Sequence, residues 1–522
     1  MAPAEPKTAT AAADRKVAGA AAPFALPDMA TLMAVLTLAF CLFVFNGGRK
    51  LFRDSDTGWH IRTGERILMA DTLPRTDPYS FSRPGEPWVA WEWGSDVLMG
   101  LAHRIDGLRG VTAIFALAIA SCTWMWFRLH WAVGGNFYIA CAMMPPMINT
   151  ASLHWLARPH VFSWLFLIGA VWYAERGPFR FGWTQAIGIA AATSLWANLH
   201  ASFFFAPIIA LIFAASHFIR PLMWDLDRAF EFARARWFLF AAGAALAGSL
   251  VNPYGWRLHW HLASYLTNGE LLDRVAEFQS FNFHAAGSAQ IVATLAIAAI
   301  GGTLALTQKS VAHFLLAAMF SIAALRSARA LPLVALLILP LANAALANSL
   351  RSMQELRPSV ARWLDHAMIY SHRTLTLDRK LNGAPFAIVA VAGLLLALRI
   401  PAAAARIGFA PDEFPVAAAA AIEKLPADAR LFAPDKYGGY LIYRFDGARK
   451  VYFDGRSDFY GAAFMKQYIE VLEVRPGWEE IFRSLHFTHA LVPNRYSLGA
   501  ALDQVGWKTL YKDNVCTLLE AR

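Results

Sequence analysis

Two carboxylates one residue apart, Asp54 and Asp56, follow the first long apolar run in the segment Arg53-Asp54-Ser55-Asp56-Thr57-Gly58-Trp59-His60. In a loop or extended backbone such a pair can share a cation, or divide the work of a base and an orienting partner. A solvated polar stop has the same composition, so the Trp-His pair at the membrane boundary is what favours chemistry here. Arg158, Arg326 and Arg329 are the candidates for holding phosphate, because a guanidinium presents paired donors to anionic oxygens and stays charged. Interfacial snorkelling is the structural alternative for each arginine taken alone. His60, His154, His160 and His200 can act as acid, base, donor or metal ligand, but their spacings match no zinc signature. Asn198 and Asn252 can meet substrate hydroxyls or satisfy backbone where helices break. Glu92 lies among Trp88, Trp91 and Trp93, rings that belong first to an interfacial belt and second to a sugar-stacking surface.

The elements that must position these residues are membrane helices. Of 522 residues, 57% are hydrophobic and only 16% charged, a balance that excludes a soluble enzyme and a disordered chain. Apolar runs fall near 29–46, 111–129, 136–150, 160–174, 183–197, 202–219, 235–251, 288–306, 310–325, 329–347 and 383–400. They predict a polytopic α-helical membrane protein with about eleven spans in domain 29–400 and a long first outside loop, 48–110. The net charge of +10 sits mainly in arginines between apolar runs, where it sets orientation, and nucleic acid is not an expected partner. With the amino terminus cytoplasmic, the inner connections hold most of the arginines and the short outer ones hold Arg158, Arg326 and Arg329. Every unusual polar cluster then falls on the outer side.

Residues 1–28 are Ala- and Pro-rich and read as a disordered cytoplasmic tail before an uncleaved first helix. Residues 411–522 change character to short apolar runs between turns. Strands are expected at 429–433, 449–453, 488–493, 507–511 and 514–519, and helices near 437–443, 461–474 and 478–484, giving a small outward-facing α/β domain. The segments Lys436-Tyr437-Gly438-Gly439-Tyr440 and Phe453-Asp454-Gly455-Arg456-Ser457-Asp458-Phe459-Tyr460 can form an acceptor-binding rim, although turn chemistry explains their glycines as well. The four cysteines form no evident pair.

The motif DSDTGWH after the first span, the loop with TDPYSFS and WVAWEWGSDV, and the outward carboxy-terminal domain resemble the type C polyprenyl-phosphate-dependent glycosyltransferases. WANLHASFF, LVNPYGW and LRSARALPL resemble motifs of bacterial proteins grouped with that superfamily. The resemblance implies a type C fold in a bacterial inner membrane, a polyprenyl-phosphate sugar donor and an extracytoplasmic lipid or envelope glycan acceptor. It implies that Asp54 or Asp56 removes the acceptor proton with inversion at the sugar, and that Arg158, Arg326 and Arg329 bind donor phosphate. His60, Glu92, His160, Asn198, His200 and Asn252 are then expected to contact substrate. Members differ in using a divalent cation; where magnesium or manganese is used, Asp54 and Asp56 are the residues here that would hold it. The late motif diagnostic of oligosaccharyltransferases has no match in the tail. A transporter or lipid flippase, or a non-catalytic polysaccharide assembly protein, are the competing functional classes for a polar pocket of this kind.

Overall fold

The computed structural model describes residues 25–352 and 358–522, so most of the expected tail 1–28 lies outside the described residues. Asp28 starts the first helix, Met29–Phe43, by accepting from the Thr31 amide at 2.7 Å, which satisfies an otherwise orphaned donor. Four helical segments among the described residues are long and apolar enough to cross a membrane: Trp93–Ala132, Ala201–Met223, Ser288–Thr307 and Ala328–Ser352. Met29–Phe43, Val311–Arg326 and Ala384–Ala397 are shorter apolar helices.

Not every expected run of about eleven becomes a full-length crossing. The run 136–150 is split into Phe137–Ala142 and Met144–Ala151, with Pro145 and Pro146 opening the second piece where a missing amide is tolerated. The run 111–129 is the carboxy-terminal part of the 40-residue helix Trp93–Ala132, which breaks at Asp106 and Gly107. Its amino-terminal part packs against a helix of the first loop, Asp56–Ala70. Glycines permit the approach: a Cβ on Gly64 would overlap the Asp96 carbonyl, and one on Gly100 would overlap the backbone of Glu65.

The carboxy-terminal segment forms a four-stranded sheet in the order β1 (Leu431–Phe432), β2 (His489–Pro493), β4 (Cys516–Glu520) and β3 (Lys508–Lys512). β1 runs parallel to β2, and the other pairs are antiparallel, with Leu491 opposite Leu518. β2 is buried along its whole length, whereas the edge strand β3 is mostly exposed and carries two lysines, which discourages further pairing. The expected strand 449–453 is not in this sheet. Val451 instead bridges the first loop, donating to the Tyr79 carbonyl and accepting from the Phe81 amide, both at 3.0 Å. Its register partner is therefore a distant segment, which local periodicity does not reveal.

Two further contacts fasten this unit to the first loop. The helix Asp435–Arg444 lies against the loop helix, and a Cβ on Gly439 would overlap the Ser55 carbonyl, while one on Gly58 would overlap Gly439. The glycines of Lys436–Tyr440 thus serve close packing rather than a turn, while Lys436 itself lines the cavity described below. Arg456 bridges Asp454 and Asp77 at 2.7 and 2.8 Å, all three nearly free of solvent. Removing one partner of such a buried pair costs roughly 3–5 kcal/mol, because the other charge is left uncompensated.

Candidate functional site

These packing choices leave a cavity of about 780 Å³ where the helix bundle meets the carboxy-terminal unit. It is lined by the acidic segment of the first loop, the His154–His160 turn, the turn after His200, residues 275–278, the Ser327–Ala330 turn and residues 455–458. The membrane helices add an apolar flank that includes Leu167, Phe204, Phe205 and Leu333.

Arg158 is the centre of charge. Its Nη1 lies 2.6 Å from Asp54 Oδ2 and 2.7 Å from Glu277 Oε1, and its Nη2 lies 3.1 Å from Asp56 Oδ2. Arg329 reaches the other oxygen of Glu277 at 3.3 Å and stacks over Phe278. The two aspartates differ in setting. Asp54 accepts from the Asp56 amide at 2.9 Å and has the shorter bond to Arg158. Asp56 is more deeply buried at the start of the loop helix, and a Cβ on Gly455 would overlap its Oδ1. Burial, with the charge of Asp54 adding, pushes the Asp56 carboxyl well above its usual range despite Arg158. Burial also disfavours the charged Arg158, but Asp54, then Glu277 and Asp56, hold it firmly protonated. Glu277 goes the other way: burial raises it, yet Arg158 and Arg329 together keep it far below the ordinary carboxylate range.

A second group sits on the same wall. Glu92 Oε1 is 3.4 Å from His200 Nε2 and its Oε2 is 3.7 Å from His60 Nε2. The Ser202 amide donates to His200 Nδ1 at 3.1 Å, and Trp196 donates to Ser163 Oγ, freeing that hydroxyl to donate to the same nitrogen at 2.8 Å. Nδ1 is therefore an acceptor, and Nε2 carries the proton toward Glu92. Burial pushes Glu92 up to about 7, against the pull of Arg158 and Arg329.

Of the residues expected from sequence, Asp54, Asp56, Glu92, His154, Arg158, His160, His200 and Arg329 line this one cavity. His60 lies behind it, bonded through Nδ1 to Asp96 at 2.6 Å and covered by the Trp59 ring at 3.6 Å. Arg326 does not join Arg329: it ends the helix Val311–Arg326 on an exposed position, and the tight turn after it sends only Arg329 inward. Asn198 and Asn252 are also outside the lining. Asn198 ties Trp93 to the Ser194 and Val251 carbonyls, and Asn252 closes its own turn by bonding Ser249, Tyr254 and Gly255.

Sequence reasoning missed Glu277 and Asp435 as lining residues, while Arg456 and Asp458 lie in the segment expected as an acceptor-binding rim and do line the cavity. Glu277 had one available signal, an acid in a connection between two apolar runs. Nothing local in the segment of Arg456 and Asp458 ties it to Asp56, against which Gly455 packs.

As arranged, Asp54 and Asp56 do not fit a divalent ion, because the Arg158 guanidinium fills the position between their carboxylates. No cluster of three acidic, His or Cys ligands with metal-holding geometry occurs among the described residues.

No family model and no curated protein sequence matches the chain. Among solved structures, the apo crystal structure of the Archaeoglobus fulgidus oligosaccharyltransferase superposes with a TM-score of 0.51 at 11% identity, covering 89% of this chain and 69% of that one. ArnT from Cupriavidus metallidurans, solved with undecaprenyl phosphate bound, gives a TM-score of 0.42 at 10% identity, covering 94% and 97%. At this identity the first likeness shows the fold alone: the chain shares the overall architecture of that structure, as the resemblance of its motifs implies.

Proposed function

We propose that this chain transfers a sugar from a polyprenyl-phosphate-linked donor to an extracytoplasmic lipid or envelope glycan acceptor, with its site and carboxy-terminal unit on the periplasmic side of a bacterial inner membrane. The observation that carries this reading is the convergence of Asp54, Asp56, Arg158 and Arg329 on one hollow that also has an apolar membrane flank. The apolar flank suits an isoprenoid chain and the arginines suit its phosphate. The distribution of arginines between inner and outer connections supports the orientation.

In this mechanism Asp56, or Asp54 through it, takes the proton of an acceptor hydroxyl. The oxygen attacks the anomeric carbon from the face opposite the leaving group, and the bond from that carbon to the phosphate oxygen breaks. The lipid phosphate departs with the electron pair and one more negative charge. Arg158 and Arg329 stabilise that charge as it develops, inside a site that restricts water. Domain 29–400 holds the donor, and 411–522 closes the cavity through residues 455–458.

The test is incubation of the purified chain with a panel of labelled polyprenyl-phosphate sugars and membrane extract, with mass spectrometry of the products. A new glycosylated lipid or glycan is expected. Label that accumulates inside sealed vesicles without a covalent product would establish a transporter instead.

A further inference from the structure

The end of the bundle opposite the cavity carries a helix of a different kind. Pro358–Asp378 has 21 residues, long enough to cross a bilayer, but Arg362, Asp365, His366, His372 and Arg373 are spread along it, and it is not among the helices apolar enough to cross. Its neighbours in the chain are the apolar helices Ala328–Ser352 and Ala384–Ala397. An apolar helix on each side holds it at the level where the membrane segments begin and end.

Its hydrogen bonds fix how it lies. Asp378 Oδ1 accepts from the Met29 amide at 2.7 Å, at the start of the helix whose other end leads to Asp54. Ser371 Oγ accepts from the Phe137 amide at 2.9 Å, the Tyr138 and Thr374 hydroxyls meet at 3.0 Å, and Asn136 Nδ2 donates to Met368 Sδ at 3.1 Å. These partners follow the helix Trp93–Ala132, whose other end is at Glu92. Pro358–Asp378 therefore lies across the ends of two helices whose opposite ends reach the cavity. Met368, Ser371, Leu375 and Asp378, three or four residues apart, form the face turned to the bundle.

The same periodicity leaves another stripe without a protein partner. Trp363, Tyr370 and Leu377, seven residues apart, are 67%, 61% and 63% exposed. Arg362, His366 and Arg373 run beside them, also exposed, and Arg379 and Lys380 follow just past the helix end. Of the charged side chains from Arg362 to Lys380 four are basic and two acidic, and one of the acids, Asp378, is turned inward to Met29. A row of large apolar side chains that includes Trp and Tyr, bordered by cations, suits a helix lying in the plane of the membrane interface. The apolar row enters the acyl boundary and the cations meet headgroup phosphates.

We propose that Pro358–Asp378 is an interfacial helix that binds anionic phospholipid, with Trp363, Tyr370 and Leu377 among the acyl chains and Arg362, Arg373, Arg379 and Lys380 on the headgroups. A zwitterionic lipid would satisfy the apolar row alone; the excess of positive charge beside it selects an anionic headgroup. The site is separate from the cavity and does not depend on sugar transfer.

The test places the full chain in phosphatidylcholine nanodiscs with an equal small fraction of photoactivatable phosphatidylglycerol or photoactivatable phosphatidylcholine, and maps the attached lipid by mass spectrometry of the digested chain. Phosphatidylglycerol is expected to label the peptides of Pro358–Asp378 about fivefold more than phosphatidylcholine does, the enrichment of one basic group at an anionic surface. A variant with Arg362→Gln, Arg373→Gln, Arg379→Gln and Lys380→Gln is expected to lower that preference by about threefold or more. Label on Ile388 and Val389, exposed on the apolar helix Ala384–Ala397, should match in both chains and reports that each is folded in the bilayer. Labelled Ile388 and Val389 without label on Pro358–Asp378 overturns the proposal. Cross-links between two copies through Trp363 and Tyr370 also overturn it, by assigning this face to a second chain. Equal label from the two lipids, or a preference unchanged in the variant, overturns it as well.

Discussion

The helix bundle buries charge at both ends, in two different ways. At the end away from the cavity, His313 meets Glu175 at 2.8 Å, and Glu231 is held by His217 at 2.7 Å and Arg220 at 3.1 Å. Each acid there has its own bases, and none of these side chains lines the large cavity. At the other end one guanidinium serves three carboxylates beside a hollow of about 780 Å³. Buried charge alone therefore marks a fastening between helices. An over-subscribed arginine facing open space marks a place where a ligand can enter the network.

Substitutions at the two ends should separate accordingly. The largest effect is expected for Asp54→Asn and Asp56→Asn, which should abolish transfer in a labelled-donor assay while expression and detergent stability stay intact. Full activity in both single variants would remove the carboxylate chemistry. Arg158→Lys should follow, with a fall of about 10²–10³ in initial rate, because an ammonium cannot present paired donors to phosphate and the acids at once. Glu231→Gln, at the far end, sharpens the contrast: transfer should be unchanged while the thermal midpoint falls by about one degree, the shift that about 1 kcal/mol gives in a chain of this size.

A smaller effect concerns pH. Glu92 is raised from 4.5 to about 7 by burial, so across that interval the folded chain holds a proton that the unfolded chain has released. The contribution of Glu92 to stability is therefore greatest at low pH and falls as pH rises through that window. Thermal unfolding of the unaltered chain should decline from about pH 5 to about pH 8 more than that of Glu92→Gln. Identical pH profiles would show that Glu92 titrates in the ordinary range.

How much of this was legible in the sequence follows from the range of each interaction. Apolar runs disclose helices because span length is a local property, and the acid pair at 54 and 56 was visible for the same reason. Arg158, His160 and His200 could be grouped because positive-inside topology sends their turns to one side. The bridge between Val451 and the first loop was not visible, since its partner lies some hundreds of residues away and the alternation around it resembles an ordinary strand. Arg326 and Arg329 looked equivalent in sequence, and only the turn between them decides which one faces the cavity. Glu277 carries no motif; its meaning comes wholly from Arg158 and Arg329 converging on it.

The central claim is that the network around Arg158 performs sugar transfer rather than lipid binding alone. It is tested most directly by single-turnover transfer in proteoliposomes, comparing the unaltered chain with an Asp54→Asn, Asp56→Asn double variant at equal occupancy by labelled donor. The account expects a covalent glycosylated product from the first and none from the second, although both bind donor lipid. Equal product from both, or donor that crosses the bilayer unchanged in both, would contradict it.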